Sequence, residues 1–402
     1  MPDVTLGSVP AKDAIEHIRG KLRIPTKRWD WLMGDVHAKA FTVAGAMKMD
    51  LVGDLHQSIT SALENGTTLA EFRKDFDAIA EKHGWQYRGG RSFRTKVMFN
   101  TNLRTAHMAG RWKQIQRVKE SRPFMVYKTV GDQQVRPEHS SWESTVLSVD
   151  DPWWDTHYPP NGWGCRCYVN TANARQLKRQ GLTAGKAPPI KTTERVNSQT
   201  GEYFGQVPVG IDPGWNYNVG KAWTGQDVAF GRKLMDLPAP LRKTVLDNNG
   251  PHIKELGKSW GNWLTNRNGQ LPAGYSHTVG YLPDNIIETL VAKGIEPVGA
   301  SIIVFDRQIA HLLGSHKPKT KRIPPLWLRK LPAELLDYKA ILLHKNDLVF
   351  VLKEAVGDKT ARAVVQVNFK RKGKSFNSVR SLSVTNLSDL RKKDYELLEG
   401  EL

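Results

Sequence analysis

Cys165 and Cys167 close the segment Pro159-Pro160-Asn161-Gly162-Trp163-Gly164-Cys165-Arg166-Cys167, and His139 and His157 lie upstream of it. Two thiols and two imidazoles are the four N/S donors that zinc commonly takes. Against that, Cys-x-Cys is tighter than the usual Cys-x₂₋₄-Cys spacing, and Trp163 and Gly164, not further donors, precede the pair. The reading adopted is a compact buried loop in which His139 bonds backbone and the cysteines pack. Zinc held by His139, His157, Cys165 and Cys167 is the competing expectation, and no other cofactor is expected. A catalytic thiol is disfavoured, because no Cys/His/Asp arrangement with a known nucleophile context surrounds the pair.

The elements that position this loop begin with a helical stretch from Trp29 to about Gln116. Leu51, Leu55, Ile59 and Ala62 share one helical face, and Gly66 ends that helix. Thr68 and Glu71 have the spacing of a capping box that opens a second helix, with Phe72, Phe76 and Ile79 as its stripe and Gly84 as its stop. A third helix spans about 92–117, with Val97, Leu103, Ala106, Ala109 and Trp112 as core candidates. Asn100, Arg104 and Arg111 on it read as surface polar contacts. Residues 124–130 form a β-rich run closed by Gly131-Asp132, and 137–167 read as an ordered irregular loop. Residues 171–274 are rich in Gly, Pro, Asn and Lys and read as a connector, with one short helix near 238–248. Beyond them, 275–402 alternate β-rich runs (301–305, 340–343, 349–352, 363–369 and 378–384) with short helices. That pattern predicts an α+β unit with an antiparallel sheet and helices on one face. The fold class is α+β, in three parts: 1–170, 171–274 and 275–402.

Over the 402 residues, 39% are hydrophobic, enough for packed cores. No apolar run approaches the roughly 18 residues that would span a bilayer, and Met1-Pro2-Asp3-Val4 lacks the pattern of a secretory signal. Two cysteines make no disulfide framework. A soluble intracellular protein with no membrane partner is expected. Lys plus Arg number 59 against 40 acids, a formal charge of +19. Such an excess attracts nucleic acid or an acidic protein surface.

Four segments, in order, resemble the phage Mu F-like head-morphogenesis (minor capsid) family. They are Ala40-Phe41-Thr42-Val43-Ala44-Gly45 and its following helix pair; Asn100 to Arg111; Arg136-Pro137-Glu138-His139 through Asp150-Asp151-Pro152-Trp153-Trp154 to Cys167; and Asp212 to Gly220. Together they span about 29–223. The resemblance implies a minor head protein acting in procapsid assembly and head morphogenesis. Its implied partners are portal or major head proteins and DNA, and its places are the virion and, during assembly, the host cytoplasm.

The C-terminal part resembles phage-associated nuclease-like domains of the barnase–EndoU–colicin–RelE group. Phe305-Asp306-Arg307-Gln308-Ile309-Ala310-His311, then Gly314-Ser315-His316-Lys317, then Phe376-Asn377-Ser378-Val379-Arg380 carry that resemblance. Metal-free RNA cleavage needs an imidazole as base or acid and a cation on the developing phosphoryl charge. His311 is the candidate base or acid, with His316 or His277 as second partner. Lys317 or Arg380 would clamp phosphate, and Ser378 would orient it. Lys319, Lys321 and Arg322, with Lys370, Arg371 and Lys372, would track a DNA or RNA backbone. The alternative function is therefore a metal-independent phage-borne RNase or toxin on a head-associated module. The opposing reading is that basic loops are solvated faces and a helix histidine satisfies a local hydrogen bond.

Overall fold

Leu51, Leu55, Ile59 and Ala62 form the buried face of the helix Met49–Asn65. That helix stops at Gly66, whose left-handed φ of 69° lets its N–H reach the Ala62 carbonyl. The next helix, Leu69–Lys82, opens with the capping box expected of Thr68 and Glu71. Phe72 and Phe76 are its buried residues.

The computed structural model describes residues 11–198, 200–224, 228–265, 276–313, 318, 321–371 and 373–402. The chain divides into two units, Met1–Thr224 and Gly225–Leu402. In the first, the helix Arg91–Val118 is 28 residues long, about 42 Å at 1.5 Å per residue, and joins two cores. Its first half packs Met98, Phe99, Leu103 and Ala106 against the helix pair. Its second half gives Met108, Ala109, Trp112 and Ile115 to an aromatic core that contains both cysteines. A three-stranded antiparallel sheet, ordered Val146–Ser148, Phe124–Lys128, Tyr168–Ala172, frames that second core.

The second unit is built on a seven-stranded sheet. Its order is Glu396–Gly400, Ala340–His344, Asp347–Val356, Lys359–Arg371, Lys374–Thr385, Ser301–Phe305, Ser276–Tyr281. All pairs are antiparallel except Lys374–Thr385 with Ser301–Phe305, which run parallel. The whole is an α+β protein with an antiparallel-rich sheet in its C-terminal half. Among the described residues, no helix is long and apolar enough to cross a membrane.

Residues 171–274 carry more structure than their composition suggests. The first unit contains the helix Ala174–Arg179, the hairpin of Thr192–Val196 with Tyr203–Pro208, and the helix Val219–Thr224. The second contains Val228–Met235, Ala239–Asp247 and Gly250–Thr265. Gly250, Pro251, Gly257 and Gly261 dilute the helical signal of the last helix, since each lowers intrinsic propensity. Tertiary burial overrides it: Trp260 is fully buried, and its indole N–H donates to the Leu328 carbonyl at 2.6 Å.

Candidate functional site

Around Cys165 and Cys167 the chain folds into a shell of aromatic rings. Pro137 starts the short helix Pro137–Ser141, which carries His139 inward. His139 stacks on Trp142, ring centroids 5.0 Å apart. Its Nε2 bonds the Gly210 carbonyl at 2.8 Å, so the tautomer that donates there leaves Nδ1 as a bare acceptor. Nδ1 faces both sulfurs, Cys165 Sγ at 3.8 Å and Cys167 Sγ at 3.5 Å. His139, Cys165 and Cys167 are 2%, 6% and 7% exposed. Their donor atoms all lie within 4.8 Å of one another. Hydrogen bonding between the two thiols holds Cys165 well below its ordinary range and pushes Cys167 up.

His157, the fourth expected donor, stands apart from this trio. It stacks on Trp153 with centroids 4.3 Å apart, and its Nδ1 meets Thr156 Oγ1 at 2.8 Å. Burial pushes its imidazolium down to about 4. The backbone contact of His139 and the packing of both cysteines are as the compact-loop reading expects. The convergence of both sulfurs on one ring nitrogen goes beyond it.

Residues far apart in sequence tie the loop down. Arg136 Nη1 and Nη2 donate to Asp212 Oδ1 and Oδ2 at 2.9 and 2.8 Å. The Trp163 N–H donates to Asp212 Oδ2 at 2.8 Å, and Arg136 Nη2 to the Trp163 carbonyl at 3.1 Å. Tyr127 Oη donates to Asn161 Oδ1 at 2.9 Å, and Tyr158 Oη to the Met108 carbonyl at 2.9 Å. Arg104, read from sequence as a surface contact, is half-buried and donates to the Cys165 carbonyl at 3.2 Å. Asn218 Nδ2 donates to the Trp154 carbonyl at 3.2 Å. Gly220 packs where any Cβ would collide with Trp112. The segments containing Asn100–Arg111, Arg136–Cys167 and Asp212–Gly220 thus meet at one place. Sequence reasoning named none of Tyr127, Asn161, Arg136 or Asp212 as site residues; the Asp212-Pro213-Gly214 turn was the available signal.

Beside this loop lies a pocket of about 540 Å³, with Lys21, Trp29, Met98, Trp163, Trp215 and Tyr217 in its lining. Lys21 is 6% exposed, and burial pushes its ammonium down to about 7. A lone lysine carries no sequence signal for this.

In the second unit the expected catalytic residues that are described lie on two strands and a short helix, and Ser378 bonds that helix through Gln308. His277 is on the edge strand Ser276–Tyr281, its Nε2 3.1 Å from Ser259 Oγ and its Nδ1 2.6 Å from the Thr278 carbonyl oxygen. Ser378 is fully buried and donates to Gln308 Oε1 at 3.1 Å. Thr278 pairs with Ile303, and Ile303 with Ser378. Thr278 and Ser378 therefore share a face, and His277, the residue before Thr278, takes the other. His311 is an exposed residue of the short helix Gln308–Leu312. The Arg380 guanidinium lies over the Phe369 ring at 4.4 Å, and that of Arg371 over Phe305 at 4.1 Å. Lys370 and Arg371 sit at the turn end of the hairpin, paired with Ser375 and Lys374. Lys321 and Arg322 are exposed just before the helix Pro325–Leu336. Lys321 lies within electrostatic reach of Asp389, whose carboxyl Lys392 chiefly holds low and Arg362 also lowers. His316, Lys317, Lys319 and Lys372 lie outside the described residues.

Comparison with known proteins agrees with the N-terminal geometry. Residues 53–170 match the family described as Phage Mu protein F like protein. The chain is 29% identical over 390 residues to "Putative capsid assembly protein F" of Escherichia phage Mu, covering 90% of this chain and 87% of that protein. It is 28% identical over 315 residues to the Mu-like prophage FluMu F protein of Haemophilus influenzae, covering 70% and 75%. No solved structure matches it. The matched region contains the Arg91–Val118 helix and the whole His139–Cys167 loop, and over this region the chain is similar to the phage Mu F-like family.

Proposed function

We propose that the chain is a minor head protein that acts in phage capsid assembly, in contact with portal or major head proteins. One observation carries this reading: the likeness to the phage Mu protein named for capsid assembly extends over 90% of the chain. That extent takes in most of Gly225–Leu402 as well as the cysteine loop. It favours one assembly role for both units over a nuclease carried on a head module. The charge of +19 fits contact with packaged DNA or with RNA through non-specific phosphate interactions. On this reading the protein resides in the virion and, during assembly, in the host cytoplasm.

Deleting the gene from the phage or prophage that carries it, and imaging the resulting lysate, tests the role. Loss of normal heads with restoration by the full chain in trans is expected; normal infectious heads without the protein would contradict it. Incubating the full chain with RNA in the presence of a chelator tests the alternative. Cleavage abolished by His311→Ala would favour the RNase.

A further inference from the structure

We infer that His139, Cys165 and Cys167 form a zinc site. Zinc bonds thiolate sulfur at about 2.3 Å and imidazole nitrogen at about 2.0–2.1 Å. Tetrahedral angles between bonds of those lengths place sulfur and nitrogen about 3.6 Å apart. The two sulfur-to-Nδ1 separations are 3.8 and 3.5 Å. The third pair, Sγ to Sγ, falls within the 4.8 Å limit that all three donor atoms satisfy.

Hydrogen bonding alone accounts for this arrangement poorly. Nδ1 offers one in-plane lone pair, and two thiols would compete for it. A single ion placed between the three atoms uses that lone pair and both sulfurs at once. The imidazole is already oriented to ligate, because its Nε2 is engaged by the Gly210 carbonyl, the outer contact that fixes the tautomer of a ligating histidine. Gly210 cannot carry a side chain there, because its φ is +88° and a Cβ would strike Glu138. The carbonyl that holds His139 thus depends on a glycine. The Arg104 contact to the Cys165 carbonyl braces the other side.

Binding would proceed with charge balance. Each thiol releases its proton to solvent, and two thiolates with one neutral imidazole leave an uncharged complex around Zn²⁺. A neutral centre suits burial among Trp142, Trp153 and Tyr127, where an uncompensated ion would be costly. The protein supplies three donors, and water takes the fourth position. His157 is not a ligand, since it is held by Trp153 and Thr156. The site would cross-link the Pro137–Ser141 helix, the cysteine loop and, through Gly210, the chain leading to Asp212.

The test uses the full-length reduced chain, stripped of metal and titrated with Zn(II) against a chromophoric chelator, then with Co(II). One equivalent of zinc per chain is expected. Co(II) should give thiolate charge-transfer absorption in the near ultraviolet, together with the visible bands of a tetrahedral ion. Zinc should slow modification of Cys165 and Cys167 by a thiol reagent at least tenfold. Cys165→Ser and His139→Ala should each weaken zinc binding at least tenfold, while His157→Ala should retain one equivalent. Failure of the wild-type chain to bind an equivalent, or absence of thiolate–cobalt absorption, would overturn the site whatever the variants do. Full binding by a Cys165→Ser/Cys167→Ser double variant, or loss of binding in a folded His157→Ala chain, would overturn this ligand set.

Discussion

Arg136 and Asp212, 76 residues apart, form a two-pronged ion pair at 2.9 and 2.8 Å that closes over Gly162. A Cβ at Gly162 would fall onto Asp212 and Arg136, so the glycine is what admits the pair. The same carboxylate also receives the Trp163 N–H. One aspartate therefore fastens the start of the His139 helix and the approach to Cys165.

Asp212→Asn should unfasten the loop. It removes the anion while nearly keeping the shape, and hydrogen bonds to charged groups contribute about 1.5–3 kcal/mol each. Partial exposure of the pair puts the expected loss at the lower end, about 1–2 kcal/mol. Chemical denaturation followed by tryptophan fluorescence reports directly, given the tryptophans around the loop. An unchanged midpoint would show that the pair fastens nothing.

Gly220→Ala should also destabilise the first unit, through packing. The added methyl would overlap the Trp112 side chain, and Trp112 is buried among Tyr158 and its neighbours. Overpacking of this kind costs about 1–3 kcal/mol. The same denaturation assay should show a lowered midpoint, and a variant as stable as the parent would mean that the Val219–Thr224 helix can shift away freely.

How much of this was legible depended on distance in sequence. The helix pair could be read because its signals are local: Leu51, Leu55, Ile59, Ala62, Gly66, Thr68 and Glu71 lie within a few turns of their partners. The C-terminal strands from Ser301–Phe305 to Lys374–Thr385 were legible for the same reason, from short β-branched runs. The helix Gly250–Thr265 was hidden, because its glycines lower local propensity and its stability comes from Trp260 meeting Leu328. The cysteines could be singled out by type. Their convergence on Nδ1 of His139 could not, since it depends on the Gly210 carbonyl selecting the tautomer. The same limit applies to Lys21, which becomes unusual only once the fold has buried it.

Stability of the first unit should rise with pH, by linkage through Lys21 and His17. Lys21 titrates at about 7 when folded against an ordinary 10.5. Between those values the unfolded chain binds the proton and the folded chain does not. Stability from this group is therefore lost as pH falls from 10.5 to about 7, and changes no further below that. His17 is fully buried, and desolvation, with Lys21 nearby, depresses its pKa well below 6.5. Its contribution is intact above 6.5 and is lost progressively below. Denaturation midpoints at pH 9, 7 and 5 should fall in that order. Lys21→Met should raise the midpoint at pH 7 and flatten the slope between pH 7 and 9. A midpoint unmoved by Lys21→Met would contradict the assignment.

The most direct measurement of the proposed function is the composition of purified heads. Particles from the phage or prophage carrying the gene would be separated on a density gradient and their proteins quantified by mass spectrometry. The chain should co-sediment with procapsids or heads at a low, fixed ratio to the major head protein, and should stay with them through washing in high salt. Its recovery only in the soluble fraction, with complete heads lacking it, would contradict a head-assembly role.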